Sequence, residues 1–196
     1  MRKAVLSDKS EFLRIISESY RSNPSVLWVL KKDRKIESRL SVLAEYCWKE
    51  GLLQQGIYFS KNGDGIAIFY PLHEKKSGIK SLLGQLKLVI RAIGISRIGT
   101  VLRRDSYIAK NRSAHKCIYF WMYAVDPKSR DGIAAREIRD FAFQMADEQR
   151  LPILAETSVP QNKKVYEHFG FQTYHQWEDP KSAMVTWFMQ RLPHQK

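Results

Sequence analysis

Residues 125 to 136 read VDPKSRDGIAAR, and these residue types in this order can hold an anion. An apolar run stops at Val125 and a basic turn follows at Lys128 and Arg130. A helix then opens on Gly132, Ala134 and Ala135 with almost no side chain in its first turn. The unpaired N–H groups of a helix start, with the positive end of its dipole, attract negative charge. A diphosphate could therefore lie against the bare backbone with the two basic residues at its rim. The same small residues would equally let the helix pack closely on a neighbour, and this segment alone leaves both readings open. Two other phosphate motifs are absent: there is no GKS or GKT for a P-loop and no GxGxxG for a dinucleotide fold.

The elements that must position this turn follow from periodicity. A strand is expected around Lys3 to Leu6, then a helix opened by Ser7 or Asp8, with Glu11 at capping-box spacing behind Asp8. Asn23 and Pro24 break it, and a second helix runs from about Asp33 to Glu50. GIYFSKNGDGIAIFYPL is a hairpin turning at Asn62 to Gly65. Ile79, Leu82, Leu83, Leu86, Val89, Ile90 and Ile93 recur at helical spacing opposite Lys80, Gln85, Lys87 and Arg91, and a less regular helix covers Ser96 to Lys110. KCIYFWMYAV has no clean alternation, as in a strand covered on both faces. After the anion turn, Ala134, Ile138, Phe141, Ala142 and Met145 mark a helix face. LPILAETS is a buried strand, VPQNKKVYEHFGF a short helix, and FQTYHQW and MVTWFMQRL are two final strands.

A length of 196 residues suits one domain with a substantial core, and a hydrophobic content of 44% excludes a disordered chain. No run approaches the roughly 18 apolar residues of a membrane span, and MRKAVLSDKSEFLRII turns polar too early for a signal peptide. A cytoplasmic protein is expected. Cys47 and Cys117 lack ligand spacing and read as reduced core thiols, and the histidines form no HxxxH pattern, so no metal is expected. The net charge is +13, and eleven Lys or Arg between His73 and Lys116 face only Glu74 and Asp105. Clustered basic residues are a footprint of phosphate or nucleic-acid binding; the plainer reading is a solvated positive face over an apolar stripe.

FWMYAVDPKSRDGIA resembles the acetyl-CoA-binding motif of the GNAT N-acetyltransferase superfamily, and ETSVPQNKKVYEHFGF resembles the strand and helix that follow it. The pair spans about residues 116–171. The stretch from YHQW to FMQRL is compatible with the superfamily's last two strands, and the N-terminal half agrees only in the order of its elements. Within the superfamily the chain is most similar to bacterial and fungal members of unassigned substrate, distantly like the puromycin acetyltransferase group, through the short spacing from Asn162 to Tyr166. The resemblance implies an α+β fold with a mixed, mostly antiparallel sheet of about six to seven strands flanked by helices. It implies one domain over 1–196, with a two-helix basic insert at 73–116 before the cofactor-binding strand and an acetyl-CoA-binding core at 117–177.

It also implies a site. The backbone of Tyr123, Ala124 and Val125 would pair with the pantetheine arm, and Arg130, Asp131, Gly132, Ile133, Ala134 and Ala135 would cradle the pyrophosphate. Asn162 would hydrogen-bond the pantetheine, and Tyr166 would stand near the thioester sulfur. The pattern departs at Ser129, which occupies the position of a Gln or Arg three residues before the first glycine. The loop thus reads one residue short, with Arg130 displaced and Asp131 adding a negative charge beside the phosphates.

Acyl transfer to an amine needs a neutral amine, a polarised carbonyl and a protonated leaving thiolate. A phenol of pKa about 10 can protonate a thiolate whose acid has pKa about 8.5. Tyr166 shares a helix face with Asn162 four residues earlier; the plain alternative is a packing aromatic between Val165 and Phe169. A backbone N–H near Val125 would polarise the carbonyl. Glu156 is the candidate base, directly or through water, its alternative being an ordinary hydrogen-bonded strand residue. His115 and His168 stand alone and read as structural or solvated. The expected function is transfer of acetyl from acetyl-CoA, the co-substrate, to a primary amine of a small acceptor by direct attack on the thioester. The basic insert lies near the acceptor site and argues against polyamine or aminoglycoside acceptors by repulsion. A catalytically inactive GNAT-fold protein that binds nucleic acid or senses CoA is the alternative; Asn162 and Tyr166 together with Gly170 and Phe171 favour the enzyme. A homodimer stays open.

Overall fold

Seven strands form one mixed sheet: β1 (Arg2–Lys3), β2 (Ile57–Phe59), β3 (Gly65–Pro71), β4 (Ile118–Val125), β5 (Ile153–Thr157), β6 (Gln172–Glu178) and β7 (Val185–Arg191), in the order β1-β2-β3-β4-β5-β7-β6. Only β4 and β5 run parallel; every other neighbouring pair is antiparallel. The computed structural model describes residues 1–129, 131–180 and 184–194, without the side chains of 79–82. Arg130, and the side chains of Ile79, Lys80 and Leu82, therefore lie outside the described residues.

Both faces of the sheet are covered, which is why the β4 run is apolar throughout. On one face α1 (Lys9–Ser19) and α3 (Ile36–Leu53) bury Phe12, Ile15, Ile16, Cys47 and Trp48 against Ile57, Ile66, Ile68 and Met122. On the other, α6 (Ile133–Gln149) sets Ile138, Ala142 and Ala146 against Tyr58, Phe69, Ile118 and Ile153. Each fully buried Phe of this core, such as Phe12 and Phe69, contributes about 1.5–3 kcal/mol relative to exposure. Cys47 and Cys117 are both buried thiols, and burial pushes them up to about 12 and about 11.

The insert is helical as expected. α4 (Ile79–Leu88) runs on through a wider turn at Val89–Ile93 and ends at Gly94, and α5 (Ile98–Lys110) follows. Leu88, Ala92, Ile93 and Val101 bury against Trp28, Leu30 and Leu40, with Val89 partly buried beside them; the expected apolar stripe is thus tied to the N-terminal helices only at its end, and Leu83, Leu86 and Ile90 are exposed. Among the described residues no helix is long and apolar enough to cross a membrane.

The N-terminal elements differ from expectation in three places, each through side-chain capping. Asp8 stands at the N-cap of α1 as expected, but its side chain makes no cap there; its carboxylate takes Arg2 and the Val5 N–H at 2.8 Å, closing a short turn at Leu6–Asp8, so that β1 ends at Lys3 and not at Leu6. Asn23 and Pro24 start a helix instead of only breaking one: Asn23 Oδ1 accepts from the Ser25 and Val26 N–H groups at 3.0 and 3.2 Å and caps α2 (Pro24–Val29). Asp33 accepts the Lys35 N–H at 3.0 Å and pairs with Arg39, which delays α3 to Ile36.

Candidate active site

Where β4 leaves β5, the sheet opens. The two strands pair only at Ile118 with Ile153 and Tyr119 with Leu154. Just beyond, the register against β3 steps from Phe69 opposite Phe120 to Ile68 opposite Met122, leaving Trp121 as the extra residue of a bulge. A bulge bends its strand and increases the local twist, and this one sits where β4 and β5 part. The gap is a cleft of about 730 Å3, within the ~300–1,000 Å3 usual for small-molecule sites.

One wall is Tyr123, Ala124 and Val125. Asp126 N donates to Asp64 O at 2.7 Å, so by antiparallel alternation Ala124 also faces β3, while the main-chain groups of Tyr123 and Val125 face the cleft. Two side chains from the end of α1 already reach those carbonyls. Tyr20 Oη donates to Tyr123 O at 2.8 Å and Ser19 Oγ donates to Val125 O at 2.9 Å.

The start of α6 closes one end. Gly132 has φ 70°, a left-handed conformation that glycine takes without strain, and Gly132 and Ala135 both line the cleft. Ala134 does something else: a Cβ added at Gly65 would lie 2.8 Å from the Ala134 Cβ, so Ala134 lets α6 press onto β3. The packing reading of the small residues is thus realised at Ala134, while Gly132 and Ala135 leave this end of the cleft open. The Ile133 side chain is exposed. Asp131 Oδ1 accepts the Ile133 N–H at 2.8 Å, so a carboxylate of the chain itself sits on one of the helix's donors. The preceding turn is anchored by Ser129 Oγ donating to Asp64 Oδ2 at 2.6 Å and by Lys128 N donating to Asp126 Oδ1 at 2.9 Å. Arg14 from α1 pairs with Asp126 and holds its carboxyl below the usual carboxylate range.

On the opposite wall, α7 (Pro160–His168) brings Asn162 and Tyr166 into the cleft from one helix face. Tyr166 packs its ring 5.2 Å from Phe171 and 6.4 Å from Tyr123, and among the described residues its hydroxyl has no hydrogen-bond partner. Burial pushes its phenol well above 10, which keeps it protonated.

Glu156, on β5, lines the same cleft with a side chain only 9% exposed. Its Oε2 accepts from Tyr119 Oη at 2.8 Å. Its Oε1 lies 3.7 Å from Arg112 Nε, and both of these atoms are buried without a hydrogen-bond partner among the described residues. Burial raises the Glu156 carboxyl and the nearby Arg112 pulls it the other way, leaving it above its ordinary value. A buried carboxylate oxygen without a donor suits an incoming N–H.

Thus Tyr123, Ala124, Val125, Gly132, Ala135, Glu156, Asn162 and Tyr166 share one cleft, while Ala134 faces β3 and Arg130 is outside the described residues. His115 and His168 do not line it. Ser19, Tyr20, Asn23, Arg104, Asp105 and Ile108 do, and no local motif marks them; only the basic insert's expected nearness to the acceptor pointed toward the last three.

No protein-family model matches the chain, and no curated protein matches it significantly. Solved structures do match it across nearly its whole length. A histone acetyltransferase HPA2 and related acetyltransferase from Corynebacterium glutamicum superposes with a TM-score of 0.70 at 14% identity, covering 99% of this chain and 96% of that one. The fold is that of the GNAT acetyltransferases. The C-terminal condensation domain of Ebony, solved in complex with beta-alanyl-dopamine, superposes with a TM-score of 0.67 at 12% identity and covers 96% of each chain. Arylalkylamine N-acetyltransferase 2 from Aedes aegypti gives 0.61 at 12% identity, covering 98% of each. The finer likeness to the puromycin acetyltransferase group gains no support from these neighbours.

Proposed function

We propose that the protein is an acetyl-CoA-dependent N-acetyltransferase acting on the primary amine of a small acceptor by direct attack on the thioester. The observation that carries this reading is the parting of β4 from β5 beside the Trp121 bulge, which puts the main-chain edge of Tyr123 and Val125 in one cleft with Gly132, Asn162, Tyr166 and Glu156. The GNAT fold supports the reaction class, and the arylalkylamine N-acetyltransferase neighbour supports an amine acceptor.

The residues present fit the co-substrate. An extended pantetheine arm suits the cleft-facing edge of β4, as an added strand would, and the Asn162 amide offers it both donors and an acceptor. Gly132 and Ala135 leave the start of α6 open to a diphosphate, with Asp131 as the group it must displace or bridge. Acetyl-CoA supplies the acetyl group activated as a thioester. Glu156 takes a proton from the acceptor amine, a task its raised pKa suits. A cleft-facing N–H of β4 polarises the carbonyl. The C–N bond forms as the C–S bond breaks, and Tyr166 delivers a proton from Oη to the sulfur.

The test is thiol release from acetyl-CoA with a panel of primary amines. Turnover by the wild type that is lost in Glu156→Gln supports the reading. Thiol release no faster than hydrolysis with every amine, alongside salt-steep binding of RNA or DNA, would favour the inactive nucleic-acid binder instead.

A further inference from the structure

Among the described residues three arginines are almost fully buried, and two of them are paired with carboxylates. Arg39, 8% exposed, holds Asp33, and Arg191, 5% exposed, holds Asp147 through two bonds of 2.9 and 3.1 Å. Arg104 on α5 is the exception. It is 9% exposed and lines the cleft, yet among the described residues it has no ion pair. Its hydrogen bond runs from Nη2 to Ser25 Oγ at 2.8 Å, while Nε is buried with no partner. The guanidinium is held 5.4 Å above the Trp28 ring, so its fork is fixed before any ligand arrives. A buried cation with no carboxylate bonded to it is poorly compensated, and the fork offers the paired donors that a carboxylate accepts.

We propose that Arg104 binds a carboxylate carried by the acceptor, which makes the substrate an amino acid or a similar amine bearing a carboxylate. This rests on the acetyltransferase reading above and narrows its acceptor. Glu156, in the same cleft, takes the amine end, and Val26, Val29 and Ile108 supply an apolar wall for the body of the molecule. A doubly charged phosphate is disfavoured, because Asp105, Glu156 and Asp179 all stand close enough to act on Arg104 and would repel a dianion more than a single carboxylate.

Matched pairs test this: L-leucine, L-methionine and L-phenylalanine, each against its carboxamide, titrated calorimetrically into the wild type, Arg104→Met and Arg104→Lys. In the wild type the carboxylates bind about tenfold or more tighter than the carboxamides, as expected for a charge-assisted pair. The ratio collapses in Arg104→Met and is partly kept in Arg104→Lys. Because each ratio is taken within one preparation, a lower folded fraction does not change it. A wild-type ratio near one, detectable binding of neither member, or an unchanged ratio in Arg104→Met overturns the assignment. Acetyl-CoA titrated into the same wild type separates the two claims. Acetyl-CoA binding without a carboxylate preference overturns the acceptor assignment alone, whereas an Arg104-dependent carboxylate preference without acetyl-CoA binding overturns the transferase reading and leaves a carboxylate site.

Discussion

Tyr119 Oη donates a 2.8 Å hydrogen bond to Glu156 Oε2, and this bond tunes the group proposed as the base. Burial raises the Glu156 carboxyl, while the Tyr119 donor and Arg112 lower it. Only the carboxylate accepts a proton, so kcat/KM rises with pH through the raised pKa. Tyr119→Phe removes a stabiliser of the charged form, and the acid limb of the profile moves to higher pH. Glu156→Gln removes the limb and lowers kcat/KM about a hundredfold or more. A pH–rate profile of the three proteins checks both.

Tyr166 separates binding from turnover. Tyr166→Phe keeps the ring against Phe171 and loses only the proton donor. Acetyl-CoA affinity by calorimetry stays within about twofold, and kcat falls about 10- to 100-fold, within the range of lost general-acid help.

Asp131 caps the Ile133 N–H with a negative charge where a diphosphate is proposed to lie. Asp131→Asn keeps a capping oxygen and removes the charge, so acetyl-CoA binds a few-fold tighter, in line with ~0.3–1 kcal/mol per charge at a helix end. The gain shrinks as salt is raised. Titration at two ionic strengths reads it.

The contact between α6 and β3 is tight enough to measure as stability. In Gly65→Ala the new Cβ meets the Ala134 Cβ at 2.8 Å and Ile138 Cδ1 at 3.2 Å. The overpacking costs about 1–3 kcal/mol, seen as a lower Tm, and acetyl-CoA affinity falls with it because the start of α6 must shift.

The strand–turn–helix around Gly132 and the Asn162 to Tyr166 spacing were legible because each is local: the residues that form the element also line the cleft. The opening between β4 and β5 was not, since KCIYFWMYAV reads as one continuous strand and nothing in it marks Trp121 as the bulge. Ser19 and Tyr20 were missed for a different reason. They end a helix about a hundred residues before the carbonyls they reach, and only the packing of α1 across the sheet brings them there. Arg104 was one basic residue among many in the insert; what singles it out is burial without a carboxylate, a property of the folded chain. Asn23 shows the opposite error, a helix cap read as a helix breaker, because the same Asn-Pro pair serves both uses.

Calorimetric titration of acetyl-CoA into the wild type and Gly132→Glu bears most directly on the central claim. Gly132 sits in the cleft at φ 70°, so a glutamate there places both bulk and negative charge against the proposed diphosphate. Saturable binding by the wild type, abolished in a Gly132→Glu protein of unchanged circular dichroism, is the result expected. A wild type that does not bind acetyl-CoA, or a Gly132→Glu variant that binds it equally well, contradicts the account.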